Sequence, residues 1–189
     1  MKEDNFQNDP KVLMRLAKLG DGEAFGQLYE LYFVLVFRYI YFRVKNKEEA
    51  NDLVQTVFLK VFCSLPNFQE QNKSPLAYFF TVARNTFIDY QRTKKEILLD
   101  DPEGVFEQIP DKADNPSEFV EKEEINQVVH RVIKQLADDQ QEVIVLKFIN
   151  GMLNKEIAEL MSKTEEAIRQ LQCRALKTLR EIFKKENIL

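Results

Sequence analysis

The sequence predicts an all-α protein of two small helical domains joined by an acidic linker, with a helix-turn-helix in the C-terminal domain. Three observations lead there. Five glycines, six prolines and no tryptophan in 189 residues leave little material for a turn-rich β architecture. Apolar residues recur at spacings of three and four through long stretches, the period of an amphipathic helix. Charge is divided by segment: residues 1–95 hold 14 Lys and Arg against 11 Asp and Glu, residues 96–124 hold 2 against 11, and residues 125–189 hold 11 against 9. A formal net charge of −4 therefore hides two mildly basic ends around a strongly acidic middle.

Composition also excludes function classes. The longest apolar run, Leu31 to Phe37, falls far short of the roughly 20 residues that span a bilayer, and the polar start MKEDNFQNDP has no apolar core of a secretion signal. No membrane insertion and a cytoplasmic location are expected. Cys63 and Cys173 have no CxxC or CxxH partner, and the single histidine, His130, has Gln127 rather than Glu three residues before it. Zinc, disulfide and di-iron signatures are thus absent. No metal, no cofactor, no catalytic residue and no enzymatic activity are expected.

In the N-terminal domain, placed at residues 1–95, the spacing predicts a helix from Gly22 to Val44 with Phe25, Leu28, Tyr29, Tyr32, Val36, Tyr39 and Ile40 on one face. Phe33, Leu35, Phe37 and Phe42 spill beyond that stripe, so the helix must be central or covered. Asn46 is expected to cap the next helix, with Glu49 completing a reciprocal capping box. Ala50, Leu53, Val54, Val57, Phe58, Val61, Phe62 and Leu65 form its core face, and Asp52, Gln55, Thr56, Leu59, Lys60 and Cys63 its other face. That second face is either a solvated surface or a docking surface. Ser74 followed by Pro75 starts a third helix, PLAYFFTVARNTFIDYQRTKK. Leu76, Phe79, Phe80, Ala83, Phe87 and Tyr90 point inward, while Tyr78, Thr81, Arg84, Asn85, Arg92, Lys94 and Lys95 fall elsewhere. Aromatic, amide and guanidinium groups on one surface suit unpaired bases and their phosphates, although core packing accounts for most of the rings.

Residues 96–117 read as an acidic flexible linker, interrupted by Pro102, Gly104, Pro110 and Pro116. A segment of about 25 residues reaches about 80 Å when extended and averages about 28 Å as a coil. It is either a plain solvated spacer or a mimic of nucleic acid in a basic channel.

The C-terminal domain, residues 118–189, opens with an amphipathic helix from Glu118 to Leu136. After Ala137-Asp138-Asp139 comes QQEVIVLKFI, stopped by Asn150 and a C-capping Gly151. Asn154 is expected to cap a short helix to Met161, and Thr164 a long one to Lys185. Two capped helices across so short a turn make a helix-turn-helix, or, more plainly, a helical hairpin. Ile157, Ala158, Leu160, Ile168 and Leu171 would join the pair, and Ala175, Leu179, Ile182 and Phe183 would anchor the long helix. Glu166, Arg169 and Gln170 near its start are candidate base readers, with Lys155, Lys163, Arg174 and Lys177 nearer phosphates. Five basic side chains neutralise at most about five phosphates, so unaided binding falls near 10⁻⁴ to 10⁻⁶ M and tethering to a larger DNA-bound partner is expected.

With these residues in view, the order of segments resembles a sigma factor of bacterial RNA polymerase, in the compact extracytoplasmic-function (ECF) group of the sigma-70 family. The pieces are AFGQLYELYFVLVFRYIYFRV, EEANDLVQTVFLKVFCSLPNF, PLAYFFTVARNTFIDYQR and QLADDQQEVIVLKFINGMLNKEIAELMSKTEEAIRQLQCRALKTLR, which cover nearly the whole chain. The resemblance implies a core-polymerase contact through Asp52, Leu53, Gln55, Thr56 and Leu59, with Phe58 supporting it from the core. It implies minus-ten DNA contacts through Tyr78, Arg84, Asn85, Asp89 and Arg92, and a loop from Ser64 to Ser74 that receives a flipped base. The minus-thirty-five element would meet Lys155, Lys163, Glu166, Arg169, Gln170, Arg174 and Lys177. Bacterial core RNA polymerase, promoter DNA and an anti-sigma factor are the implied partners. The chain departs from the family pattern at Thr56, Ala137, Gln141 and Ser162, where an acid, a proline, a base and a glycine are usual. The alternative is a stand-alone helix-turn-helix regulator, which would bind duplex DNA tightly without polymerase.

Overall fold

The computed structural model describes residues 9–68, 74–100 and 128–187, with the side chains of 96–100 excepted. Every regular element among them is helical. The chain divides into two compact units, Met1–Pro110 and Asp111–Leu189.

The first unit is built from α1 (Pro10–Lys18), α2 (Gly22–Val44), α3 (Lys47–Ser64), a 3-10 turn at Leu65–Asn67, and α4 (Pro75–Asp100). α1 is an addition to the sequence expectation. Its start is chemically plain, because Asp9 accepts the Lys11 N–H at 2.9 Å and Pro10 occupies the first turn, where its missing N–H costs nothing. α2 begins on Asp21, whose carboxylate accepts from Glu23 and Ala24. α1 packs on α2, and α2, α3 and α4 pack mutually around one core. Leu28, Tyr32, Val36, Tyr39 and Ile40 of α2 are buried there, as the period required. Phe79 lies at the centre, with its ring 4.8 Å from Tyr32 and 5.3 Å from Phe58, so one side chain joins three helices. Beside the buried stripe α2 carries a ladder of stacked rings: Tyr29, expected in the stripe but 38% exposed, is followed by Phe33, Phe37 and Tyr41 at 5.2, 6.1 and 5.6 Å.

Three further expectations need correction in this unit. Asn46 caps α3 by accepting the Glu49 N–H at 3.0 Å, but the Glu49 carboxylate is engaged elsewhere, with Tyr90 and Lys94, rather than in a reciprocal box. Phe62, placed in the core by period, is 52% exposed, with the Phe25 ring edge-on to it at 5.0 Å. α4 continues to Asp100, so its last residues occupy part of the expected linker. The remainder of that linker, and the helix expected before residue 128, lie outside the described residues.

The second unit contains α5 (described over residues 128–133), α6 (Asp138–Ile144) continued as a π-helical turn Val145–Ile149, α7 (Asn154–Met161) and α8 (Glu165–Lys185). Asp138 and Asp139 form the first turn of α6 rather than a connecting turn, a position that favours acids beside the positive helix end. Gln141 reaches back and donates to the Leu136 carbonyl at 2.7 Å, an end-capping role for the residue that departs from the family pattern. Gly151 has φ +70°, as its C-capping place requires, and Met152 N–H closes the wide turn on the Leu146 carbonyl at 3.0 Å.

α7 does not begin as expected. Leu153 holds the cap position and its N–H is satisfied by the Glu156 carboxylate at 2.9 Å, while Asn154 is already helical. The Asn154 amide oxygen instead accepts from Gln172 of α8 at 3.0 Å, tying the two helices together. α7 ends at Ser162, whose φ of +54° is the left-handed conformation that a side chain resists. A glycine there relieves about 1–2 kcal/mol of strain and costs about 0.5–1 kcal/mol in unfolded-chain entropy. Ser162→Gly is therefore expected to stabilise the second unit by up to about 1.5 kcal/mol in chemical denaturation, and a loss of stability would contradict the strain assigned to this turn.

Candidate nucleic-acid interface

Two helices carry the assigned rows in the first unit. On α3, burying Ala50, Val54, Val57, Phe58 and Val61 turns Asp52, Gln55, Thr56 and Leu59 outward, and all four are exposed. Leu59 is 63% exposed, an apolar side chain that stands largely in solvent among the described residues. Thr56 returns its hydroxyl to the Asp52 carbonyl at 2.8 Å, so the departure from an acid at this position leaves the backbone satisfied. Leu53 differs from the other four in being half-buried, and Phe58 is buried.

On α4, Arg84, Asn85, Asp89 and Arg92 are exposed. Asp89 braces its surroundings, 3.5 Å from Lys60 of α3 and 3.8 Å from Arg92. Such exposed pairs contribute about 0–1 kcal/mol, so they can be exchanged for phosphate contacts at little cost. Tyr78 is half-buried, its hydroxyl 2.6 Å from Ser64 Oγ and its ring edge-on to Phe68 at 4.8 Å. It therefore props the start of the Ser64–Ser74 loop instead of standing free on the surface. Residues 69–73 of that loop lie outside the described residues.

A second polar group on α4 has no counterpart in the sequence expectations. Tyr90 donates to Glu49 at 2.7 Å, and Lys94 lies 3.3 Å from the same carboxylate and 3.0 Å from the Tyr90 hydroxyl. Burial, and then the Glu49 carboxylate, raise the Tyr90 pKa above the ordinary phenol value. The hydrogen bond to Tyr90 raises that of Lys94. Glu49 carries a sequence signal, but for helix capping, and its partners 41 and 45 residues away carry none.

In the second unit, Thr164 caps α8 by accepting the Ala167 N–H at 3.1 Å, which presents the first turn of α8 at the surface. Ile157, Ala158, Leu160, Ile168 and Ala175 are buried between the helices. Glu166, Arg169, Gln170, Arg174 and Lys177 are all exposed along α8, as are Lys155 of α7 and Lys163 of the turn. Arg169 Nε donates to Glu166 at 3.1 Å, and its guanidinium lies 3.9 Å from Glu165. Lys163 is held 3.0 Å from Asp139 of α6, a partner that sequence spacing could not indicate. The far end of α8 is fastened to the α5 end, where Glu186 accepts from Arg131 at 3.1 Å and from Gln135 at 2.7 Å. A helix-turn-helix with an exposed, mixed-charge leading turn can enter a major groove and place an Arg, a Gln and a Glu at base edges.

No group of acids, histidines and cysteines that could hold a metal occurs among the described residues. No helix among them is long and apolar enough to cross a membrane.

Comparison with known proteins bears on both units. Residues 28–97 match the sigma-70 region 2 model and residues 126–179 the sigma-70 region 4 model. The ECF RNA polymerase sigma factor BldN of Streptomyces coelicolor is 32% identical over 171 residues, covering 90% of this chain and 64% of that protein. The chain thus spans a little under two thirds of that relative's length. ECF RNA polymerase sigma factor SigX of Bacillus subtilis is 28% identical, covering 84% of this chain and 83% of the relative. Among solved structures, CnrH in complex with the cytosolic domain of CnrY is similar in fold, with a TM-score of 0.71 at 22% identity over 94% of this chain and 99% of that one. The sigma factor RpoE of Bartonella quintana, in complex with the anti-sigma factor NepR, gives a TM-score of 0.64 at 24% identity over 85% of this chain and 96% of that one. With region 2 and region 4 matched in order on the two helical units, the chain belongs to the ECF group of the sigma-70 family of RNA polymerase sigma factors.

Proposed function

We propose that the chain binds bacterial core RNA polymerase, directs it to particular promoters and divides that task between its units. Residues 1–95 hold the polymerase through the Asp52, Gln55, Thr56 and Leu59 row of α3, with Leu53 at its buried edge, and meet the minus-ten element through Arg84, Asn85, Asp89 and Arg92. Tyr78 shapes the base-receiving loop from behind. Residues 118–189 read the minus-thirty-five element with Glu166, Arg169 and Gln170, while Lys155, Lys163, Arg174 and Lys177 neutralise phosphates. Residues 96–117 serve as an acidic linker between the two tasks. The observation that supports this division best is that both rows face solvent on capped helices whose opposite faces are buried.

The work is done by binding energy. Two weak DNA contacts held on one polymerase gain affinity from effective concentration, and strand opening draws on contacts made only to the melted strand. The chain itself is then no enzyme, and it acts in the cytoplasm with the polymerase. The CnrH and RpoE structures each contain a bound partner. A partner of the anti-sigma kind for this chain would cover the α3 row or the α8 row and so withhold it from polymerase or promoter.

Arg169→Ala separates the tasks. Loss of one guanidinium at a base edge costs about 1–3 kcal/mol, so promoter-directed transcription is expected to fall roughly tenfold to a hundredfold. Retention on core polymerase in a pull-down should be unchanged. Equal loss of both would remove Arg169 from the reading role.

A further inference from the structure

We propose that the cleft between the end of α2 and the last turns of α4 is a nucleotide site, taking one phosphate and the base beside it. The cleft has a volume of about 450 Å³ and is lined by Arg43 from α2 and by Phe87, Tyr90, Gln91, Lys94 and Lys95 from α4. Three cations thus converge on it from two helices. At its back Glu49 engages Tyr90 and Lys94, and so holds Lys94 in place at the cleft wall.

Arg43 is oriented before any ligand arrives. Its guanidinium lies 3.7 Å over the Tyr39 ring and 5.7 Å from that of Phe87, and Nη1 donates to the Tyr39 carbonyl at 2.9 Å. A fork already fixed by a ring and a carbonyl loses little rotamer entropy on meeting a planar anion. The remaining walls distinguish a nucleotide from a bare anion. Phe87 and Tyr90 are half-buried with ring centroids 6.4 Å apart, and Gln91 adds an amide at the same wall. An acidic peptide would use the cations and waste these groups, whereas a base uses a π-face and an amide edge.

The site also continues a surface already assigned. Arg84, Gln91 and Lys95 are seven and four residues apart, which puts them on one line of α4. A strand lying along Arg84 therefore passes the cleft mouth. This step rests on α4 being the minus-ten helix. The same chemistry could also come from a free nucleotide, and the test separates the two.

The test uses the full chain on core polymerase with a promoter fragment whose non-template minus-ten strand is unpaired, and the chain alone with ATP or inorganic phosphate. Lys95→Gln and the double variant with Arg43→Gln are compared with Lys11→Gln, an equal charge loss on the exposed face of α1 outside the cleft. Removing one cation that meets a phosphate should lower the salt slope by about one, or about fivefold in affinity near 0.15 M salt, with Lys11→Gln unchanged. Because Arg43 packs on Tyr39, helicity by circular dichroism accompanies the double variant, and Lys95→Gln alone carries the test if that variant unfolds. Weakened ATP binding in the cleft variants, with promoter affinity unchanged, would support the site and assign it to a free nucleotide. Cleft variants matching Lys11→Gln in both arms would overturn it. Failure of the unmutated assembly to bind the fragment would count against the sigma assignment of α4, and the ATP arm would then decide the cleft by itself.

Discussion

Phe79→Ala should strongly destabilise the first unit and, with it, weaken retention on core polymerase. The side chain is fully buried and contacts Tyr32 and Phe58 from two other helices, so truncation leaves a cavity that no single helix can close by shifting. Such Phe→Ala changes cost about 3–5 kcal/mol. The net stability of a small domain is about 5–15 kcal/mol in total, so between about a fifth and all of the margin is removed. Chemical denaturation followed by circular dichroism reads this directly. Two transitions are expected in the unmutated chain if its units unfold separately, and only the first unit's transition should move. A variant that keeps that transition in place would show that α2, α3 and α4 do not depend on a shared centre.

Leu59→Asp should have the opposite signature, with intact folding and failed partnership. Leu59 is 63% exposed, so the substitution changes no buried contact and stability should stay within about 0.5 kcal/mol. If Leu59 is the apolar anchor of the α3 row, burying a carboxylate there costs about 2 kcal/mol or more, roughly thirtyfold in Kd for core polymerase. Retention should fall with unchanged helicity. Undiminished retention would move the polymerase contact off this row, whatever becomes of the rest of the assignment.

The contrast between Phe79 and Leu59 shows what is legible in the sequence. Period separates the faces of α3 and α4 well enough to put Val57, Phe58 and Phe79 inside and Asp52, Gln55, Leu59, Arg84 and Arg92 outside. It assigns a face but not a depth, which is why Phe62 is expected in the core although half of it is exposed. Local start signals work where the capping group belongs to the cap residue itself, as at Asn46 and Thr164. They fail at Leu153, where the partner is Glu156 inside the helix and the adjacent Asn154 faces Gln172 of another helix. α1 is legible in kind, since Asp9-Pro10 matches Ser74-Pro75 and Leu13, Met14 and Ala17 recur at helical spacing and are buried. The pairs Lys163–Asp139 and Glu49–Lys94 join residues distant in sequence and leave no local pattern to read. The π-helical turn at Val145–Ile149 is invisible to apolar spacing for a related reason, since spacing does not record which carbonyl each N–H chooses.

Exposed ion pairs mark how the free chain differs from one at work. Arg169 with Glu165 and Glu166, Lys163 with Asp139, and Asp89 with Lys60 and Arg92 all occupy assigned DNA contacts in the absence of DNA. Each is worth little in water, and each keeps a charged side chain extended over the surface from which it would reach a strand. On the proposed function, weak, salt-sensitive binding by the isolated chain and firm binding on the polymerase are both expected from the same arrangement.

The central claim is that this chain gives core RNA polymerase a promoter preference, and transcription in vitro tests it most directly. Core polymerase is run on a pool of genomic fragments with and without the chain, and the transcript starts are mapped. Discrete new starts that share upstream elements, and that vanish with Leu59→Asp, are the predicted result. No new starts, together with tight binding of the chain to a duplex in the absence of polymerase, would contradict it and leave a stand-alone regulator.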